Sequence, residues 1–377
     1  MKDQYVILTG SKNNAGDFLI KYRAKQLFSE LRKDRKIIDV DRWKPFSDET
    51  LENVNNSKAL ILMGGPALQP NMYPNLYKMR KLDEIKVPII TMGVGWSSKS
   101  GDWEDTYKYE FSKTAKELLD RVENSGHMSG VRDYHSLNAL HSSGYKNFLM
   151  TGCPAYYSTD KIGKGFHPYD IKKVAFSLGV AFNHSRGMEK LVKENILRLK
   201  DYFSDREFEV VFHHSIDTNK RSNGVSKSLF DSQIQILNWL ESHDIKYVDI
   251  SGSAESLMGY YSGIDLHIGY RVHAHIFMNS ISKYTMLLNE DGRGKSIKNV
   301  IGGVTIDAYH DYDDSLIIRK LNQLFNYDKY QANMKLTQQL ISEIEYEQTI
   351  DSNRYKISRL NIDNNFEIMK KFLAQLP

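Results

Sequence analysis

The 377-residue chain has one cysteine, Cys153, so no intramolecular disulfide can form, and the composition fits a reducing compartment. Long apolar runs are missing as well. The longest, 59–63 and 87–94, fall far short of the ~20 residues that span a bilayer. The first residues, MKDQYVILTG, enter a strand-like segment with no apolar signal region. Neither sign of charge dominates: Lys and Arg number 51 against 47 Asp and Glu, a net charge of +4 spread along the chain without blocks. That argues against a dedicated nucleic-acid binder and leaves room for a local positive cleft that takes a small anion. The expected location is the cytoplasm, and the weakly basic surface is compatible with a peripheral position at the inner face of the membrane.

What is present is the balance of a folded chain, 41% hydrophobic and 26% charged, at a length that suits two domains. Short apolar runs at 5–8, 36–40, 58–63, 87–92, 127–131 and 148–151 read as strands, with helices over 17–31, 107–124 and 134–142. The pattern then restarts, with strands at 173–178, 209–213, 246–250 and 265–268 and helices at 189–202 and 230–242. This alternation predicts βαβ units, an α/β fold and parallel sheets covered on both faces. Residues 156–170, with Gly163, Gly165 and Pro168, read as a hinge. Helical patterns at 315–326, 330–346 and 353–376 follow. The expected organisation is a Rossmann-like lobe at 1–160, a second at 166–310 and a helical tail at 311–377.

Four segments carry chemistry. Residues 10–17, GSKNNAGD, join the first strand to the first helix, where free N–H groups and a positive dipole end can meet a phosphate or a sugar hydroxyl. An ordinary βα turn with Asp17 near the N-cap accounts for them equally. Gly64-Gly65 and Gly93-Val-Gly95 follow strands at the edge where open α/β sheets bind ligands, although tight strand-to-helix packing also calls for glycine there. In Gly130-Val-Arg-Asp133, Arg132 can send a planar fork into a cleft, and Asp133 can cap the next helix. The fourth segment, 265–278 (DLHIGYRVHAHIFM), ends a strand at Gly269 and opens a helix with Arg271, His273 and His275. Arg271 offers a fixed cation, and His273 can supply a proton near neutral pH. His275 lies about 200° further round a helix, so the two histidines do not share a metal. His213, His214 and Asp217 form a second polar cluster at a strand end, read as a ligand-facing or solvated turn, with metal binding the less favoured alternative.

Taken in order, Asn14-Ala-Gly-Asp17, Gly64-Gly65, Val131-Arg-Asp133 with Ser136 and Leu140, and Gly152-Cys-Pro-Ala155 resemble the N-terminal pattern of the polysaccharide pyruvyl transferase family. Ser251-Gly-Ser-Ala-Glu255, Ser262-Gly-Ile-Asp265 and Gly269-Tyr-Arg-Val-His273 are similar to its C-terminal pattern. The resemblance covers roughly residues 5–300 and implies a GT-B-like fold. Two Rossmann-like lobes then face a cleft, and a C-terminal helix packs back on the first lobe. It also implies transfer of pyruvyl from phosphoenolpyruvate to a sugar of a surface polysaccharide or its precursor, as a cyclic ketal, with no metal and no cofactor. The donor-binding residues it implies are Arg132, Gly269, Arg271 and His273, with Arg271 and His273 catalytic; the acceptor contacts are Asn14, Asp17 and Gly65. The partners are then phosphoenolpyruvate and a glycan or glycolipid, not a nucleic acid.

Three positions depart from the family pattern. Cys153 stands where an aspartate is usual, Ser177-Leu-Gly179 lacks a common arginine for which Arg186 is the candidate substitute, and Ser280-Ile-Ser-Lys283 replaces Gly-x-Pro. Two alternatives therefore stay open: a GT-B glycosyltransferase using a nucleotide sugar, and a non-catalytic glycan-binding homologue.

Overall fold

The computed structural model describes residues 3–10, 15–98, 100–217, 225–311 and 330–377. The first sheet is built from β1 (Gln4–Thr9), β2 (Lys36–Asp41), β3 (Leu60–Met63) and β4 (Ile89–Met92), all parallel in the order β2-β1-β3-β4. β1, β3 and β4 are buried nearly throughout and read as continuous apolar runs, as strands covered on both faces must. A parallel pair, β5 (Ser129–Val131) and β6 (Phe148–Met150), continues the layer beside β4. The Gly93 N–H donates to Gly130 O at 2.9 Å, and the Arg132 N–H donates to Val94 O at 2.8 Å. The helices of this lobe are α1 (Ala15–Leu31), α2 (Asp48–Asn55), α3 (Met72–Asn75), α4 (Trp103–Tyr107), α5 (Lys113–Glu123) and α6 (Tyr134–Ser142). The single helix expected over 107–124 is instead α4 and α5. Ser112 ends the run because its hydroxyl accepts from the Ala115 N–H and caps α5.

The second sheet has six parallel strands, β7 (Lys173–Ser177), β8 (Glu207–Phe212), β9 (Tyr247–Asp249), β10 (Leu266–Gly269), β11 (Tyr284–Asn289) and β12 (Val304–Asp307). Their order is β12-β11-β10-β7-β8-β9, so the strand order reverses between β7 and β10. Its helices are α7 (Arg186–Tyr202), α8 (Lys227–Ser242), α9 (Ala254–Ser262), α10 (Val272–Ser280) and α11 (Gly292–Ile301). The strands expected in the second lobe end at 265–268, so the unit β11–α11–β12 has no counterpart among them.

Two further strands, β13 (Tyr309–Asp311) and β14 (Tyr330–Ala332), pair antiparallel. The helix expected over 330–346 therefore gives way at its start to β14, and α12 runs Leu336–Thr349. The helix expected over 315–326 lies outside the described residues. The final helix, α13 (Asn353–Ala374), touches both lobes. Arg359 Nη1 donates to Ser280 O at 3.0 Å, and Arg32 Nη1 donates to Leu373 O at 2.8 Å. The core of the first sheet is continuous with the buried faces of α9, α10 and α13, so an apolar seam joins the lobes. Among the described residues no helix is long and apolar enough to cross a membrane.

Candidate functional site

The second-lobe wall forms where the strand order reverses, the position at which open α/β sheets bind ligands. Gly269 ends β10 at φ +144°, and a Cβ there would overlap the Ser177 backbone, so only glycine lets β10 and β7 close up. Arg271 is the N-cap residue of α10, and its N–H donates to Ser177 Oγ at 3.1 Å. Its guanidinium Nη2 lies 3.4 Å from Gly179 O and 3.4 Å from His214 Nδ1, while Nε has no hydrogen-bond partner. His214 is held neutral, its pKa lowered to about 3 by burial and then by Arg271. His213 is buried against Tyr261, with Nε2 and the phenol oxygen 2.7 Å apart.

Beneath this wall runs a buried chain of hydrogen bonds. Asn279 Nδ2 donates to His275 Nε2 at 3.1 Å, which leaves His275 Nδ1 as the donor to Thr285 Oγ1 at 3.0 Å. The Thr285 hydroxyl then donates to His267 Nδ1 at 2.8 Å, and His267 Nε2 donates to Ser177 Oγ at 2.8 Å. Each imidazole is neutral and spends both nitrogens, so His275 serves the interior of the second lobe.

On the first-lobe wall, Arg132 follows β5 and is only 3% exposed. Its Nε donates to Asp133 Oδ2 at 3.1 Å, but Nη2 is buried without a partner. Asp133 caps α6, accepting from the Ser136 N–H at 2.7 Å. Gly95 makes room, since a Cβ there would overlap the Arg132 guanidinium. Cys153 is buried nearby, and burial pushes its thiol up to about 11. The neutral thiol adds no charge to that of Asp133 beside Arg132, and Nη2 remains without a partner.

The two walls meet at His273. Its ring lies against α1, where a Cβ on Gly16 would overlap the imidazole. Burial lowers its pKa to about 3, and the positive fields of Arg293, Arg132 and Arg271 push the same way against the opposing Asp291. Arg132 from one lobe and Arg271 from the other, 139 positions apart by their numbers, thus act on one imidazole.

Arg293 and Asp291 escaped the sequence reading. Asp291 caps α11, and the Arg293 fork grips its carboxylate, with Nη2 to Oδ2 at 2.6 Å and Nε to Oδ2 at 2.9 Å. Burial alone would depress Arg293; the Asp291 carboxylate overcomes it and holds the guanidinium above its usual range. The available signal was the apolar run 284–288 ending just before the polar EDGRGK stretch. Glu290 is a third such residue. Its carboxylate accepts from the Val180 and Ala181 N–H groups at 3.0 and 2.9 Å and fills the space beside Gly179. Burial raises its pKa, with Arg271 opposing. Arg186, the candidate substitute for the missing arginine, is exposed at the first turn of α7.

Asp17 and Gly65 come together with the buried Arg42 around a crevice of about 10 Å³. Burial raises the Asp17 pKa, with Arg42 and Arg293 opposing. Asn14 lies outside the described residues.

Two Rossmann-like lobes with their strand ends and cations turned to a shared boundary define a GT-B-like protein. The sequence model of the polysaccharide pyruvyl transferase family matches residues 14–277, and the chain belongs to that family. No curated protein matches. Among solved structures, a putative UDP-N-acetylglucosamine 2-epimerase from Listeria monocytogenes is 10% identical, with a TM-score of 0.50 over 92% of this chain and 97% of its own. The UDP-GlcNAc 2-epimerase from Neisseria meningitidis is 12% identical, with a TM-score of 0.48 over 98% of this chain and 99% of its own. At such identity the likeness is one of fold.

Proposed function

We propose that the chain transfers the pyruvyl group of phosphoenolpyruvate to two hydroxyls of one sugar, in a surface polysaccharide or its precursor, forming a cyclic ketal. The observation that supports this is that Arg132 and Arg271, each with a buried guanidinium nitrogen lacking a partner, and Arg293 all extend their positive fields to His273 at the lobe boundary. Phosphoenolpyruvate carries a phosphate and a carboxylate a few ångströms apart, and planar forks suit both. The phosphate would also change His273. An anion held beside the ring offsets the positive field and favours the imidazolium, so the donor makes its own acid.

In this reading His273 gives its proton to the methylene carbon of the donor, and positive charge develops at C2. A sugar hydroxyl attacks C2 and its proton passes to the His273 imidazole. Phosphate then leaves with the C–O bond electrons, neutralised by the arginines, and a second hydroxyl of the same sugar closes the ring as its proton goes to the departing phosphate. Positioning and preorganised charge supply the rate. Asp17 and Gly65, with Asn14 three positions before Asp17, would receive the accepting hydroxyls.

Glycosyl transfer from a nucleotide sugar would bring a diphosphate to the end of β7. There the Val180 and Ala181 N–H groups already serve Glu290, whose carboxylate would repel it. The same carboxylate flanks Arg271 and opposes either anion, so the released product distinguishes the two donors. Incubation with phosphoenolpyruvate and candidate surface-glycan precursors should release one phosphate per product and yield a glycan heavier by the pyruvyl group. Nucleoside diphosphate release from a nucleotide sugar, with phosphoenolpyruvate untouched, would favour the glycosyltransferase. Glycan binding with neither reaction would favour the non-catalytic homologue.

A further inference from the structure

Ser177 holds the turn from which Arg271 emerges. The Tyr270 N–H donates to Ser177 O at 3.0 Å, and the Arg271 N–H donates to Ser177 Oγ at 3.1 Å. A Cβ on Gly269 would overlap that hydroxyl oxygen, so the hydroxyl sits within the turn itself. The Arg271 side chain makes no capping bond to α10, which leaves Ser177 Oγ as the polar anchor of the first residue. A serine side chain has three staggered rotamers, and this contact needs one of them. What selects it lies beneath, where His267 Nε2 is 2.8 Å from Ser177 Oγ.

One amide sets the direction of the chain behind Ser177. Asn279 Nδ2 lies 3.0 Å from the His275 carbonyl, which can only accept, so this atom is the nitrogen. Asn279 Oδ1 takes the Ser358 hydroxyl of the final helix at 3.0 Å. The amide nitrogen therefore also donates to His275 Nε2, and the His275 proton sits on Nδ1, where Thr285 Oγ1 receives it. Thr285 then gives its own proton to His267 Nδ1, which places the His267 proton on Nε2, against Ser177. Ser177, His267, Thr285 and His275 are fully buried, so bulk water does not replace a broken link.

We propose that Thr285 is a positioning residue for the donor clamp. Its hydroxyl, through His267, keeps the Ser177 oxygen on the Arg271 N–H and so fixes where the Arg271 side chain starts. Thr285 lies on β11, three hydrogen bonds from Arg271. The inference rests on the reading that Arg271 binds the anionic donor. Valine at 285 keeps the shape and removes the hydroxyl. His267 Nδ1 then loses its donor, its ring is free to change tautomer, and Ser177 is free to change rotamer.

The test has two arms. Histidine-selective ¹⁵N NMR of the wild-type chain should find His275 protonated on Nδ1 and His267 on Nε2. The opposite pair overturns the chain, and this arm stands even where a variant fails to fold. In the second arm, Thr285→Val should weaken phosphoenolpyruvate binding roughly three- to tenfold and move the Arg271 backbone amide resonance, with unchanged circular dichroism. Thr285→Ser, which keeps the hydroxyl, should restore both. A threonine that only fills space would affect neither. Unchanged donor affinity or an unmoved Arg271 amide in natively folded Thr285→Val therefore overturns the proposal. A wild type with no affinity for phosphoenolpyruvate, in which Thr285→Val still moves the Arg271 amide, removes the donor reading and keeps the positioning.

Discussion

Gly16 of the first lobe and His273 of the second meet across the lobe boundary, so closely that a single Cβ on Gly16 would overlap the imidazole. Gly16 is the second residue of α1, and alanine is better there by up to about 1 kcal/mol on helix propensity. The overlap outweighs that gain, so Gly16→Ala should lower stability by about 1–3 kcal/mol while displacing the His273 ring and cutting turnover by at least about tenfold. Unchanged turnover at unchanged stability would show that the contact has no bearing on catalysis.

The clamp makes a second prediction. Arg132→Ala or Arg271→Ala should weaken donor binding by roughly 2–5 kcal/mol, and lysine should rescue poorly for want of a fork. Arg293→Ala should do at least as much, because it also leaves the Asp291 carboxylate unpaired beside the donor. Calorimetric affinities for phosphoenolpyruvate decide this, and unchanged values in all three variants would remove the clamp.

The two histidines on α10 separate by readout. His273→Gln should lower turnover by about 10²–10⁴-fold with the fold intact. His275→Gln should act on stability, by about 1–3 kcal/mol, since His275 is buried and bonded to Thr285 and Asn279. Urea denaturation and steady-state kinetics on both variants check the division. Equal turnover losses at comparable stability would contradict it.

Acid should destabilise the chain. His213, His267 and His275 are almost fully buried, and burial pushes all three pKa values down, that of His275 to about 3. In the unfolded chain each titrates near about 6.5. Their neutral forms thus support the fold fully above that value, and the support drains away as pH falls toward the folded-state values. The slope is about 1.4 kcal/mol per pH unit for each histidine. Urea midpoints at pH 7, 6 and 5 should fall steeply; a flat series would mean these imidazoles are not neutral in the folded state.

Much of this was readable from local chemistry. The helix expected over 134–142 is α6, Tyr134–Ser142, because Asp133 caps it through a short-range contact. The Arg132 and Arg271 segments stood out because each links an apolar strand to a helix start. Arg293 did not, because a charged residue in GRGK looks like an ordinary solvated one. Its importance arises from Asp291 and from β11, whose partner strands β10 and β12 bring the segment to the lobe boundary. Glu290 was hidden for the same reason: its partners Val180 and Ala181 are over a hundred positions away.

In the proposed reaction an anionic donor converts His273 from a neutral imidazole into an acid. Calorimetry of phosphoenolpyruvate binding at pH 7, in two buffers of different ionisation enthalpy, measures the protons exchanged. The phosphate, whose second pKa is about 6, can only release protons when arginines hold it as the dianion, so any uptake belongs to the protein. The account predicts uptake on the order of one proton per donor in the wild type and none in His273→Gln. Binding without proton uptake, or the same uptake in both proteins, would contradict it.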